Sequence, residues 1–168
     1  MPVEPAPAPR ESPDDARRLA ELAGALADAV EAAIGPWVQR RVAAVADAWR
    51  PGLAAELGPA AAAAGEEARR DVGARMRALL EADVDEQATG PLALLREAVR
   101  HPTAVLAAAS VAPVARDEFA ERAFPDDAYD LAPATFADVD PALHEPGMVW
   151  GAAKAHVVLA RRRAEGRR

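Results

Sequence analysis

A chain of 168 residues with a net charge of −7 is long enough to bury a core, and its lack of cysteine excludes disulfides, thiolate nucleophiles and cysteine-bound metal centres. Its apolar and charged fractions, 51% and 28%, are typical of soluble globular proteins. No stretch reaches the ~18 apolar residues that cross a bilayer, and the N-terminus lacks the apolar core of a secretory signal. We therefore expect a cytoplasmic protein that makes no membrane contact.

The N-terminal part combines a proline-rich tail with a strong helix signal. Residues 1–12 are rich in proline and alanine, which favours a flexible, extended tail. Ser12 and Pro13, followed by two acids, form a typical helix start. The apolar stripe that follows is interrupted at Gly35-Pro36, which is compatible with one kinked helix or with two helices. The residues of that stripe are Leu19, Leu22, Leu26, Val30 and Ile34.

A second apolar stripe extends the helical region as far as Pro51-Gly52, a helix stop. A short helical turn is expected at Leu53 and Leu57, followed by a third long helix over about 60–87. Residues 13–88 are therefore predicted to form an alanine-rich helical arm or antiparallel hairpin. The second stripe contains Val38, Val42, Val45 and Trp49.

Trp37 and Trp49 lie at the two ends of this second stripe. In a small helical bundle a tryptophan is usually a core residue, which is the favoured interpretation of both. Because tryptophan also anchors protein partners, the two residues remain candidates for partner binding.

The next helices are short. Leu92, Leu95 and Val99 predict a helix to about Arg100, which His101-Pro102 should stop or kink. A short helix is expected over 103–110. Pro113 is expected to open another helix, whose packing residues are Val114, Phe119, Ala123 and Phe124.

Residues 125–146 contain four prolines, and their spacing leaves no room for a long helix. They also carry Tyr129 and Phe136 among several apolar residues, so they are predicted to be structured and to pack onto the helices. A last helix should begin near Pro146 and end near Arg163, followed by a basic tail, 164–168. Residues 91–163 are thus expected to form a compact unit, which holds five of the seven aromatic residues.

The chain shows no strand signal, because no stretch alternates apolar and polar residues over a sufficient length. The predicted fold class is all-α: a helical bundle with long N-terminal helices and a compact C-terminal helical unit that contains an irregular, proline- and aromatic-rich segment.

Charge is unevenly distributed near the C-terminus. Residues 117–145 contain nine acidic residues and one basic residue, whereas residues 161–168 contain five arginines and one acid. The 117–145 segment would attract a basic protein partner and repel nucleic acid. Asp126, Asp127 and Asp130 are its candidate partner-binding residues. The arginines are interpreted as cations that complement the end of the last helix.

A polar site around the last helix is the alternative. His156 falls on the apolar arc of that helix, and Asp138, Asp140 and His144 precede it, so the four side chains could together bind zinc, iron or manganese. The spacing matches no metal motif. A buried histidine is more often a hydrogen-bonded core residue, and an aspartate before proline, such as Asp140, is typical of a helix cap.

The sequence contains no glycine-rich phosphate loop and no nucleophile elbow, and it predicts no cofactor. We therefore expect a non-catalytic interaction or regulatory module. It would bind a protein partner, or a second copy of itself, through the acidic 117–145 surface or the apolar face of the arm. A small metal-binding protein or enzyme is the alternative, and a nucleic-acid accessory protein is the least favoured.

Overall fold

The computed structural model describes residues 13–81 and 91–144, together with the single positions 155, 162, 165 and 166. The described chain contains helices and irregular segments and no strand, which confirms the all-α prediction. The five α-helices are α1 (Pro13–Trp49), α2 (Leu53–Glu81), α3 (Pro91–Glu97), α4 (Arg100–Ala108) and α5 (Glu118–Ala123).

Helix α1 passes through Gly35-Pro36 without a break. Proline lacks the N–H that would donate to the preceding turn, so a proline at this place costs helix stability in isolation. Pro36 is exposed, whereas Gly35 and Trp37 on either side are buried against the rest of the protein. The tertiary packing of those neighbours holds the helix together, and of the two possibilities that the sequence left open, one continuous helix is correct.

The turn after α1 reverses the chain. It passes through Gly52, whose φ of +85° lies in the left-handed region that glycine adopts without strain. The backbone N–H of Ala54 donates to Asp47 Oδ1 over 3.1 Å. Across the turn the Arg50 guanidinium donates to both carboxylate oxygens of Glu56, at 2.9 and 2.8 Å. The stop predicted at Pro51-Gly52 is therefore confirmed.

Helix α2 corrects the prediction for the following residues. One helix with Pro59 inside it replaces two predicted elements. These elements were a short turn at Leu53 and Leu57 and a separate helix from residue 60. Leu53 and Ala61, on either side of Pro59, are buried in the core, so tertiary contacts compensate for the missing backbone hydrogen bond. The last predicted residues of that helix, 82–87, lie outside the described residues.

Helices α1 and α2 pack antiparallel as a hairpin, and their backbones come closest where Gly35 faces Gly65. Small residues at a helix crossing allow the two backbones to approach, and larger apolar residues fill the interface on either side. This interface is the centre of the core, and its fully buried side chains include Val30, Ile34, Trp37, Val38, Val42, Ala68, Val72 and Met76.

Ion pairs lie along the edge of the hairpin. Arg69 of α2 donates to Glu31 of α1 over 2.6 Å and to Glu66 over 3.2 Å, and Arg77 pairs with Asp28. Ion pairs at a protein surface contribute little to stability, so the apolar interface dominates the stability of the hairpin.

The break between the next two helices lies at Ala98 and Val99, not at the predicted His101-Pro102. Pro102 is buried in the first turn of α4, where a missing N–H costs little because those N–H groups have no acceptor within the helix. The prediction of a helix over 103–110 is therefore shifted to Arg100–Ala108.

Helix α4 packs against both α1 and α2, and α3 packs against α2. Arg75 of α2 pairs with Glu97 of α3 over 2.6 Å, and Arg100 of α4 pairs with Asp71 of α2. Apolar and charged contacts therefore connect residues 91–108 to the hairpin. The division of the chain into a separate arm and a compact unit stays a prediction.

Residues 125–144 are irregular, with short 3-10 helices at Phe136–Asp138 and Pro141–Leu143. The segment is nevertheless ordered against the core, as predicted, and Arg40 of α1 donates to the Val139 carbonyl over 2.6 Å. Its buried apolar residues are Tyr129, Leu131, Val139 and Leu143.

The predicted tail 1–12 and most of the predicted last helix, including Trp150, Lys154 and His156, lie outside the described residues. Within that helix Ala155 is helical and exposed.

Candidate protein-interaction surface

The irregular segment is organised around Asp127, which is 3% exposed. Its Oδ1 accepts a hydrogen bond from the Leu131 N–H over 2.8 Å, and its Oδ2 accepts one from the Ala132 N–H over 2.7 Å. Aspartate favours such turns because its short side chain reaches backbone groups a few residues away. Asp127, one of the three predicted partner-binding aspartates, therefore stabilises the loop from inside and is not exposed to a partner.

A second set of contacts holds residues 111–117 against this loop. The Arg116 guanidinium donates to the Phe124 carbonyl over 2.9 Å and also to the Asp127 carbonyl. The Tyr129 hydroxyl donates to the Val111 carbonyl over 2.7 Å, and burial raises the pKa of that phenol. Because these bonds fix the backbone on both sides of α5, they also fix which side chains of α5 face the solvent.

Helix α5 is shorter than predicted, and its packing differs. It begins at Glu118, not at Pro113, because residues 111–117 are held in an irregular path by Arg116 and Tyr129. Phe119 is 82% exposed and Val114 is 48% exposed. The prediction that these two residues pack into the core is therefore wrong.

Asp126 and Asp130, the other two predicted partner-binding aspartates, have exposed side chains. Within the described chain neither carboxylate accepts a hydrogen bond or forms an ion pair, whereas Glu118 pairs with Arg122. Phe119 thus lies in a stretch, residues 117–130, that also presents two uncompensated carboxylates. We call residues 117–130 the acidic stretch.

A cleft of about 470 Å³ opens beside the acidic stretch, between its residues 123–127 and the helices α3 and α4. Its apolar lining comes from Ala93, Val99, Phe124 and Ala132. Asp126 also lines the cleft, as do Arg96 and Arg100. The lining of the cleft is therefore partly apolar and partly charged, with charges of both signs.

The arginines of this cleft are held by internal contacts. The Arg96 guanidinium lies 5.2 Å from the centre of the Phe124 ring, and its Nε donates to the Pro133 carbonyl over 3.0 Å. Contact of the planar guanidinium with an aromatic face restricts the motion of the arginine side chain. Arg96 therefore stiffens the wall of the cleft. Arg100 pairs with Asp71 and so connects the cleft to α2.

A wider groove of about 700 Å³ lies between α2 and α4. Small side chains line both of its walls. His101 is at one end, with its Nε2 buried and 3.6 Å from Asp71 Oδ2. The apolar lining residues are Leu57, Ala60, Ala63, Ala64, Ala104, Val105, Ala108 and Ala109.

Asp138 and Asp140, two of the four candidate metal ligands, have backbone partners. Asp138 Oδ2 accepts hydrogen bonds from the N–H groups of Ala134 and Thr135, both at 2.8 Å, and the bond from Thr135 is the main reason that the Asp138 pKa lies below its usual value. Asp140 Oδ1 accepts one from the Ala142 N–H over 2.9 Å, which confirms its predicted role as a helix cap.

His144 is exposed, and His156 lies outside the described residues. In the parts of the chain that the structure describes, no group of three or more potential ligand side chains is arranged to hold a metal ion.

The two tryptophan candidates differ in exposure. Trp37 is 1% exposed and belongs to the core, as the favoured interpretation predicted. Trp49 is 54% exposed at the end of α1, so its assignment to the core is wrong. On the apolar face of the arm, Val30 and Ile34 are fully buried, whereas Leu22 is 43% exposed.

Comparison with known proteins does not extend this description. A scan against protein-family models, a search of curated proteins and a search of solved structures find no match to the chain. Over the described residues, no helix combines the length and the apolar character needed to span a membrane.

The charge pattern of the sequence selected residues 117–145 and did not predict the cleft beside residues 123–127. Arg96 in the last turn of α3 resembles any cation that complements a helix end. The contact between Arg96 and Phe124 joins residues far apart in the chain, so no local sequence pattern predicts this contact.

Replacing Asp127 by asparagine should lower the free energy of unfolding by about 1–3 kcal/mol, because one of the two buried backbone N–H groups loses its acceptor. Urea denaturation monitored by circular dichroism measures this loss. The matched control is Asp126→Asn, which removes an exposed carboxylate that has no partner in the described chain and should change stability by less than about 0.5 kcal/mol. Equal effects of the two substitutions would contradict the structural role of Asp127.

Proposed function

We propose that this chain is a non-catalytic protein-interaction module that binds a partner through the acidic stretch. The observation that supports this most directly is the 82% exposure of Phe119. The free energy falls when a partner removes an exposed aromatic ring from water, and aromatic residues often provide a large share of the binding energy at protein interfaces.

The charges of the acidic stretch indicate the kind of partner. Asp126 and Asp130 are exposed carboxylates without a compensating cation in the described chain. Carboxylates at the rim of an interface attract basic partners and accelerate their association. A partner segment that combines basic and apolar residues matches both Phe119 and these carboxylates.

The other surfaces considered support this role less. The apolar face of the arm is largely covered within the chain, because Val30 and Ile34 pack in the hairpin. Asp138 and Asp140 bind backbone N–H groups, so the geometry does not favour the metal-site alternative.

The proposal is tested by affinity capture with chemical cross-linking from an extract of the native source. Proteins captured by the unaltered chain are compared with those captured by Phe119→Ser and by the double variant Asp126→Asn with Asp130→Asn. Leu22→Ser is the matched control, because Leu22 is an exposed apolar residue on α1.

We expect one or more proteins to be captured by the unaltered chain and by the Leu22 variant, and to be lost in the other two variants. Their capture should also weaken as salt rises, because salt screens exposed charges. If every captured protein is retained by the Phe119 and Asp126/Asp130 variants, the acidic stretch is not the binding surface.

A further inference from the structure

The chain itself contains a segment with the chemistry expected of the partner. Residues 157–160 are Val-Val-Leu-Ala, and residues 161–168 follow with five arginines and one acid. Apolar residues followed by cations match the apolar part of the cleft and the exposed carboxylates of Asp126 and Asp130. Among the described positions of this C-terminal segment, Arg162 and Glu165 are exposed.

We infer that the acidic stretch and its cleft bind the C-terminal segment, residues 157–168, of a second copy of this chain. This inference rests on the proposed function and names the partner of the same surface. It matches the concentration of acidic residues in 117–145 with the concentration of arginines in 161–168.

The occupant is a second copy because one copy leaves the surface open. Phe119 remains 82% exposed, and Asp126 and Asp130 have no partner in the described chain. When each of two copies gives its C-terminal segment to the other, two identical contacts form and the assembly closes as a symmetric dimer. Each contact then raises the effective concentration for the other.

The lining of the cleft indicates how the segment is oriented. The Arg96 guanidinium lies beside Phe124, so its positive charge repels an arginine, whereas an apolar side chain such as Leu159 is tolerated. The arginines of the segment would then lie outside the cleft, near Asp126 and Asp130. Binding should therefore require both the apolar and the basic half of the segment.

The test uses a fluorescent synthetic peptide of residues 155–168 and the full chain. Fluorescence anisotropy measures binding to the unaltered chain, to Phe119→Ser, to Asp126→Asn with Asp130→Asn, and to the control Leu22→Ser. A second peptide carries serine in place of Val157, Val158 and Leu159 and keeps every arginine. Circular dichroism establishes that each variant is folded.

We expect the first peptide to bind the unaltered chain and Leu22→Ser equally, and to bind the other two variants at least about tenfold more weakly, the effect of losing a charge contact or an apolar anchor at an interface. The serine peptide should bind weakly to all four chains. Sedimentation velocity should show a monomer–dimer equilibrium for the unaltered chain that shifts to monomer in the Phe119 and Asp126/Asp130 variants.

The inference is overturned if the peptide binds all variants equally, if both peptides bind equally well, or if the full chain is monomeric at every concentration. Capture of a different protein through Phe119, together with a peptide that does not bind, refutes self-recognition and leaves the proposed function intact. If Phe119 and the aspartates affect neither peptide binding nor capture, both proposals are wrong.

Discussion

Replacing Trp37 by alanine should lower the free energy of unfolding by about 3–5 kcal/mol, which is the usual cost of truncating a buried tryptophan. Trp37 is 1% exposed in the interface between α1 and its neighbours. Domains of ordinary stability unfold with a free energy of about 5–15 kcal/mol, so this loss removes a large share of the total. Chemical denaturation monitored by circular dichroism measures it.

Two further variants separate apolar burial from other roles of tryptophan. Trp37→Phe should cost clearly less than Trp37→Ala, because the buried indole Nε1 has no hydrogen-bond partner among the described residues and phenylalanine keeps most of the apolar contact. Trp49→Ala should cost less than about 1 kcal/mol, since Trp49 is 54% exposed. If Trp49→Ala destabilises the protein as much as Trp37→Ala, the arrangement of the hairpin described above is wrong.

Replacing Gly65 by valine should destabilise the hairpin by about 3 kcal/mol or more, at the upper end of the cost of overpacking a core. A Cβ at residue 65 would lie 2.8 Å from the carbonyl oxygen of Gly35 and 3.2 Å from its Cα. Both are backbone atoms of the opposing helix, so only a separation of α1 from α2 relieves the contact. Thermal and urea denaturation both report this loss.

The matched control for this prediction is Gly58→Val. Gly58 is also inside α2, and a Cβ there meets no atom within 4 Å, so the substitution should change stability by less than about 0.5 kcal/mol. The loss of stability caused by Gly35→Ala should lie between those of Gly65→Val and Gly58→Val. Its Cβ would be 3.6 Å from the Gly65 carbonyl oxygen, which is an ordinary van der Waals contact. Similar melting temperatures for the Gly65 and Gly58 variants would show that the two helices do not cross at this point.

The helical arm was the most predictable part of the fold. The stripe that ends at Val30 and Ile34 predicted a buried helix face, and both residues are fully buried. The stop at Pro51-Gly52 was equally clear, because the left-handed conformation at residue 52 suits glycine. Local chemistry was sufficient here, since apolar periodicity and turn residues act over a few positions in the chain.

Local chemistry was misleading at the internal prolines. Pro36 and Pro59 both lie within continuous helices, although proline removes a backbone hydrogen bond and is a usual reason to end a helix. The compensation comes from the antiparallel partner, which buries residues on either side of each proline. A local sequence pattern shows the proline that weakens the helix. It does not show the contacts with the other helix that offset this loss.

The sequence by itself determined that this protein is helical, that residues 125–144 are irregular yet packed, and that acidic residues concentrate beside α5. Only the tertiary structure decided which side chains are covered: Asp127 is inside, whereas Phe119 and Trp49 are outside. The physical reason is that burial depends on neighbours distant in the chain, such as Arg116 and Tyr129 around α5. In a helix of six residues the apolar period repeats too few times to indicate its inner face.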